Sequence, residues 1–268
     1  MSIITISRGS YSRGKEVAER LAQELGYDCI SREILLETSD KFHIPEIKLV
    51  RAIHDAPSIL DRFMHGKEMY VAFIRATLSK HVQKDNVVYH GLAGHFFLQQ
   101  IPHVLKVRII ADLQTRVKEE MKRENISAEE ARHILVKDDA ERRKWSLHLY
   151  GSDPWDPRLY DIVIHIKNMT VDDAVANIMH TVQRPCFQTT PEGQKILDDL
   201  TLGAQVEAAL VKGFPKIIAD AKKGEVFVRV RGSLIDEKAI TAKIKNLAGK
   251  IEGVKRIHVN IVPYIIED

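Results

Sequence analysis

The stretch Gly9-Ser-Tyr-Ser-Arg-Gly14-Lys15 constrains this chain more than any other, because of what stands on either side of it. Before it runs the apolar, β-branched segment Ile3-Ile4-Thr5-Ile6, and after it Val17 to Leu25 carries helical periodicity. A strand that feeds a helix through such a loop turns the free N–H groups of the helix N-terminus toward whatever the loop encloses. That suits a polyphosphate: the two glycines let the backbone approach closely, and Lys15 adds a cation beside the outer phosphates. The same residues also fit a glycine turn with no ligand. One position departs from the full phosphate-loop pattern, since Glu16 stands where a Ser or Thr hydroxyl would hold Mg²⁺. With ATP bound, the metal ligands would then be triphosphate oxygens, water and the hard carboxylate of Glu16.

Four short apolar runs, the first of them already met, set the architecture. Ile3 to Ser7, Asn86 to His90, Leu105 to Ala111 and Tyr160 to Ile166 read as strands buried on both faces of a parallel sheet. Helical patterns alternate with them at Lys15 to Leu25, Lys67 to Gln83, Leu113 to Glu124 and Ala128 to Tyr150. Ser127-Ala-Glu-Glu130 spells a capping box, and Thr170 with Asp173 caps a helix reaching about Val182. The expected fold is α/β, a parallel sheet with flanking helices and a helical lid, with ligands beyond the C-terminal strand ends.

The run from Arg184 to Gly193 holds two prolines and a glycine without periodicity and reads as a linker. The expected division is residues 1–185, a linker over 186–198, and a small α+β unit over 199–268. That last unit reads α-β-β-α-β: a helix from Asp199 to Val211, strands Ile217 to Ala221 and Glu225 to Arg231, a helix from Glu237 to Ile251, and a strand from Arg256 to Pro263.

Composition narrows the setting. At 268 residues, 44% hydrophobic and 29% charged, the chain has the make-up of an ordinary soluble protein. No apolar run is long enough to cross a bilayer and the N-terminus lacks signal-peptide features, so a cytoplasmic location is expected. Cys29 and Cys186 lack any ligand or disulfide spacing, and none of the 12 histidines falls in a metal-binding pattern. The net charge of +3 is too small to point to nucleic acid. Trp145 and Trp155 read as packing residues, with base stacking the lesser alternative.

A second constellation lies in Lys137-Asp138-Asp139-Ala140-Glu141-Arg142-Arg143-Lys144. Asp139 and Arg142 share a helix face, and Arg142 or Arg143 could swing over a phosphate at the glycine loop. Charge pattern alone supports a solvated helix equally well.

Taken together, the first two thirds of the chain resemble the cytidylate kinase-like branch of the P-loop nucleoside-monophosphate kinases. The resemblance is carried by Ile4 to Arg8 leading into Gly14-Lys15-Glu16, by Tyr27 to Leu35, by Pro102 to Ala111 with Arg116, by Asp139 and Arg142, and by Trp155 through Asp161. It implies an ATP- and Mg²⁺-dependent phosphotransferase acting on nucleoside monophosphates. Gly9, Ser12, Gly14 and Lys15 would hold the donor triphosphate, and Arg142, oriented by Asp139, would close over it. Arg32 and Arg116 would meet the acceptor. Leu92 stands where that family commonly has an arginine on the acceptor, and Ala140 at an often basic lid position. Those two departures keep a second reading open, a nucleotide-binding sensor with weakened transfer.

The C-terminal unit resembles a BON domain through Val206 to Leu210, Val226 to Gly232 and Gly253-Val254-Lys255. That resemblance implies binding rather than catalysis, with a protein or a phospholipid as partner.

Overall fold

The computed structural model describes residues 1–9, 12–31, 33–45, 64–91 and 93–263. The expected acceptor residue Arg32, and Leu92, lie outside the described residues. Five strands form one parallel sheet: β1 (Ile3–Arg8), β2 (Asp28–Ile30), β3 (Val87–Tyr89), β4 (Val104–Ala111) and β5 (Ile162–Ile166), in the order β2-β3-β1-β4-β5. β1 is central. It pairs with β3 from Ile3↔Val87 to Thr5↔Tyr89 and with β4 from Ile3↔Val104 to Arg8↔Ile109. Strand order reverses here, because the chain first builds outward to β2 and then crosses to β4, so the crevice between the ends of β1 and β4 is where a ligand belongs.

Alternation along β1 and β4 divides the core. Ile4, Ile6, Val107 and Ile109 pack with Val17 and Leu21 of α1 (Gly14–Leu25) and with Val175 and Ile178 of α7 (Val171–Val182). Ile3 and Val104 face the other way, toward Phe73, Ile74 and Leu78 of α3 (Met64–Val82). α2 (Glu33–Phe42) and the short α4 (Gly94–Phe97) complete the described helices before β4. Neither of these helices, nor the three-residue β2, carries a sequence pattern that marks it as a separate element.

After β4 the chain forms a helical hairpin, α5 (Leu113–Glu124) and α6 (Ala128–Tyr150), turned at Asn125 with φ 55°. Ser127 and Glu130 close the anticipated capping box, worth about 1 kcal/mol to α6. Thr170 and Asp173 do the same for α7.

The expected linker over 186–198 is corrected. Residues from Pro191 onward are helical, in α8 (Pro191–Leu210). Pro191 is not a breaker, because it occupies the first helical position, where its missing N–H costs nothing, and the Thr190 side chain caps the turn by accepting from Gly193 N. The residues just before are tied to the first strand's start, with Thr189 N donating to Met1 O at 2.9 Å and Thr189 Oγ1 to Asp85 at 2.6 Å. α8 then runs along α3: Thr201 Oγ1 donates to Ser79 O, and Arg75 meets Glu207 at 3.4 Å. On its other side it supports a three-stranded sheet of β6 (Ile218–Lys222), β7 (Glu225–Arg231) and β8 (Arg256–Val262), with α9 (Glu237–Ala248) between the last two strands. β6 and β7 are antiparallel and β7 and β8 parallel. Gly203 permits this approach, since a Cβ there would lie 2.7 Å from Ala219 O. Leu197, Val206 and Val226 share one buried cluster with Phe73 and Ile74.

Glu207 supplies a test of that seam. Burial raises its pKa above the ordinary 4.5, and Arg75 opposes the rise. A carboxyl whose folded pKa is raised favours folding most below pH 4.5, and that contribution is lost as pH climbs through the folded value. Arg75→Ala should therefore destabilise the protein by about 1–2 kcal/mol at neutral pH. Thermal melts should show a larger deficit at pH 7 than at pH 4.5, and a deficit independent of pH would contradict this account.

Candidate functional site

Gly9 and Ser12, the described residues that follow β1, are bonded to the sheet at the crevice. Gly9 N donates to Ile109 O at 3.4 Å, and the buried Ser12 hydroxyl reaches Ile109 O at 3.0 Å and Gly9 O at 3.1 Å. Ser12 thus fastens the loop to β4, with its hydroxyl turned to the sheet. Arg13 takes a left-handed φ of 63° as α1 begins. Gly14 is required sterically, because a Cβ there would meet the Arg8 side chain at 2.7 Å.

Cations surround this loop on distinct elements. Lys15, in the first turn of α1, is exposed and touches Glu19 at 3.5 Å. Arg116, at the start of α5, is buried and makes a two-pronged pair with Asp139 of α6, at 2.8 and 3.1 Å. Its guanidinium lies beside Gly9, 3.8 Å from where a Cβ would stand. Arg142 Nη1 donates to the Arg8 carbonyl at 3.3 Å, immediately before the loop. The expected orienting of Arg142 by Asp139 is therefore corrected. The hairpin lays the first turn of α5 against the middle of α6, so the carboxylate is claimed by Arg116. Arg142, a turn further on, reaches the strand end instead.

Glu16 gives both carboxylate oxygens to Arg13, at 2.8 and 3.0 Å, so holding Mg²⁺ would require breaking that pair. No cluster of three or more His, Cys, Asp or Glu suited to a metal occurs among the described residues. The protein side chains at this position do not by themselves fit a built metal site.

Two adjoining cavities open beside the loop and share Arg116, Asp139 and Trp155. One, of about 360 Å³, is lined by Gly9, Ser12, Arg108 and Val163 among others. The second, of about 560 Å³, runs along α6 past Leu113, Val136, Ala140 and Leu147. Trp155 is 51% exposed, which sets it apart from the buried Trp145. The Arg143 guanidinium lies 4.5 Å from its ring centroid and is itself held by Asp153 at 2.6 Å. Expected as packing, Trp155 instead forms a cavity wall. Under the smaller cavity Arg108 Nη1 donates to the Tyr160 hydroxyl at 3.1 Å, and that hydroxyl donates to Pro154 O at 2.9 Å with His95 Nε2 at 3.3 Å. Burial, then the charges of Arg108 and Lys106, lower the His95 pKa to about 3, so its ring is neutral. His90, at the end of β3, is likewise lowered to about 4, by burial and then Arg8.

Arg108 and the pairing of Arg143 with Trp155 are not read from sequence, and Arg13 enters there only as part of the glycine loop. The signal for Arg108 was available, as a charged residue in the otherwise apolar half of Val104–Ala111. The contact of Arg143 with Trp155 carries none, since Arg143 lies in a run of charges that a solvated surface would also show.

Comparison with known proteins follows the same outline. A family model described as the cytidylate kinase-like family matches residues 3–168. The cytidylate kinase of Methanopyrus kandleri is 30% identical over 180 residues, covering 64% of this chain and 88% of that protein. That of Thermococcus sibiricus is 31% identical over 109 residues, covering 40% of this chain and 55% of that protein. The chain spans about half the length of this and other curated relatives. A solved structure of an uncharacterised protein from Eubacterium ventriosum superposes with a TM-score of 0.53 at 23% identity, over 69% of this chain and 100% of that one. At that identity the likeness is one of fold.

The Arg116–Asp139 pair yields a direct prediction. Asp139→Ala would leave a buried guanidinium without its charged acceptor and should cost about 1.5–3 kcal/mol. The double change Arg116→Met with Asp139→Leu should recover part of that loss, because neither charge is then buried. Chemical denaturation of both variants checks this, and a double variant no more stable than Asp139→Ala would contradict it.

Proposed function

The chain belongs to the cytidylate kinase-like family, and from that membership we propose that it is an ATP-dependent phosphotransferase of nucleoside-monophosphate kinase type, with cytidylate the acceptor that the names of its relatives suggest. The observation that carries the reading is convergence: Lys15, Arg116 and Arg142 come from three elements to one glycine loop at the reversal of strand order.

In this reading the triphosphate lies on Gly9, Gly14 and Lys15, at the positive end of α1. Lys15 is exposed and tethered by a surface pair with Glu19, so it can follow the outer phosphates. Arg116 is held in advance of the ligand by Asp139, and Arg142 closes from α6. An acceptor phosphate oxygen, already anionic, forms the new bond to the γ-phosphorus as the bond to the β-bridging oxygen breaks, giving two nucleoside diphosphates. No side-chain base is needed, and the protein contributes position and positive charge. Mg²⁺ carried on the triphosphate would neutralise phosphate charge. The base of one nucleotide fits the wall of the larger cavity formed by Trp155, Leu113 and Leu147.

The rival reading, binding with weakened transfer, draws on Ala140, which stands in the wall of the larger cavity where a cation would otherwise reach inward. Arg143 and Lys144 line the same cavity and favour the enzyme.

Residues 199–268 are read as a BON-like interaction unit without catalytic groups, in a cytoplasmic protein. No helix among the described residues is long and apolar enough to cross a membrane. The outer face of the small sheet carries a Phe227–His258 stack with centroids 4.8 Å apart, beside Ile218 and Arg229, which suits a surface partner.

Purified protein assayed with ATP, Mg²⁺ and each nucleoside monophosphate tests the activity, and no turnover with any acceptor would refute it. Lys15→Ala should weaken ATP binding, measured by calorimetry. Arg142→Ala should lower kcat on the order of 10³-fold while changing ATP affinity far less. Equal turnover would return Arg142 to a structural role. If the small sheet binds phospholipid through its basic residues, sedimentation with anionic liposomes should weaken with salt. No sedimentation, or salt-insensitive sedimentation, favours a protein partner.

A further inference from the structure

Arg108 is a buried cation that no carboxylate among the described residues bonds, although Asp153 lies near enough to feel its charge. It projects from β4 under the 360 Å³ cavity, and only 9% of its surface is exposed. A guanidinium does not shed its proton at ordinary pH, so burial cannot be relieved by neutralisation. Its hydrogen bond goes to the Tyr160 hydroxyl, with the Tyr160 ring centroid 5.5 Å from its Cζ. No carboxylate pairs with it among the described residues. The acids nearby are committed elsewhere: Asp153 is bonded to Arg143 at 2.6 Å, and Asp139 to Arg116 at 2.8 Å. His95 and Ser7, which both meet the Tyr160 hydroxyl at 3.3 Å, add no negative charge, the His95 ring being neutral.

Arg116 and Arg108 therefore differ as cavity walls, since one arrives already neutralised and the other does not. Position separates them from Lys15 too. Ile109 faces α1 and the N-terminal turn that carries Lys15, so its strand neighbour Arg108 emerges on the opposite face of the sheet. Gly9 lies between the two sides and lines the cavity. A ligand in that cavity can thus meet Arg108 while remaining next to phosphates held on the loop. The volume is at the small end of the range for ligand sites.

We propose that Arg108 is the anchor for the acceptor's anionic group: a phosphate monoester enters the 360 Å³ cavity beside Gly9 and takes this buried guanidinium as its counter-ion. The assignment to an acceptor rests on the phosphotransferase reading; the anion site itself does not. The recognising chemistry is a phosphate oxyanion, which either an acceptor or the donor triphosphate could present.

Calorimetric titration of the full chain separates these sources. Wild type, Arg108→Met and Lys15→Ala are each titrated with ATP, with cytidine monophosphate and with inorganic phosphate. Arg108→Met should lose about tenfold or more in affinity for the monophosphate and for inorganic phosphate, with ATP affinity changed by less than about twofold. Lys15→Ala should show the reverse pattern. Unchanged monophosphate affinity in Arg108→Met, or a loss confined to ATP, overturns the proposal, as does a wild type that binds neither monophosphate nor phosphate. A wild type that binds phosphate through Arg108 but not ATP would sink the phosphotransferase reading and leave the anion site standing. Should Arg108→Met fail to fold, Arg108→Lys keeps a charge but loses the planar fork. Inorganic phosphate at constant ionic strength should then raise the melting midpoint of wild type more than that of Arg108→Lys, and an equal rise in both overturns the proposal.

Discussion

The pairing of β1 with β4 is the constraint on which the rest of the molecule depends. It runs from Ile3↔Val104 to Arg8↔Ile109, and at its end the Ile109 carbonyl accepts from both Gly9 N and the Ser12 hydroxyl. The loop is thus registered against the sheet by the same ladder that builds the core. A slip of one residue in that register would turn Ile109 outward and Arg108 into the apolar layer under α1. It would also take away the carbonyl that Ser12 needs. Sheet, loop and cavity floor are consequences of one register.

Much of this was legible because the strands of a doubly covered parallel sheet are short, continuous apolar runs, and Ile3–Arg8 and Val104–Ala111 announce themselves. The capping boxes at Ser127 and Thr170 marked two helix starts for a local reason, a side chain three residues from its partner. β2 is only three residues long and has one buried position, Ile30, so its pairing with β3 comes from tertiary context. The start of α8 reads as linker in the sequence because proline and glycine look alike in a linker and at a capped N-terminus. What decides between them is Thr190, whose side chain must be seen to accept from Gly193.

The site was legible in its residues more than in its partnerships. Gly14, Lys15, Arg116, Asp139 and Arg142 could be nominated from one dimension, yet Asp139 could be matched with Arg142 only by assuming that neighbours on one helix face act together. Helix-to-helix contact overrides that local geometry, because a buried guanidinium such as Arg116 gains more from a two-pronged carboxylate than a half-exposed one does. Ser12 shows the same limit. Its hydroxyl fits a phosphate by type, while the fold gives it two carbonyls.

The charge arrangement has a further consequence for how the loop meets an anion. Arg13 is paired with Glu16, Arg116 with Asp139, and Arg143 with Asp153, each at 3.0 Å or less. Pre-pairing keeps a concentration of guanidinium groups compatible with folding, since each of these three cations, Arg116 buried and the other two half-exposed, has a carboxylate before any ligand arrives. It also holds Arg116 in one orientation beside Gly9, so little reorganisation is needed when phosphate charge appears there. The carboxylates exact a cost, because each offsets part of the positive field. The net attraction of the crevice for phosphate therefore falls on the cations that are least committed to carboxylates: Lys15, exposed at one side of the loop, and Arg108, buried at the other.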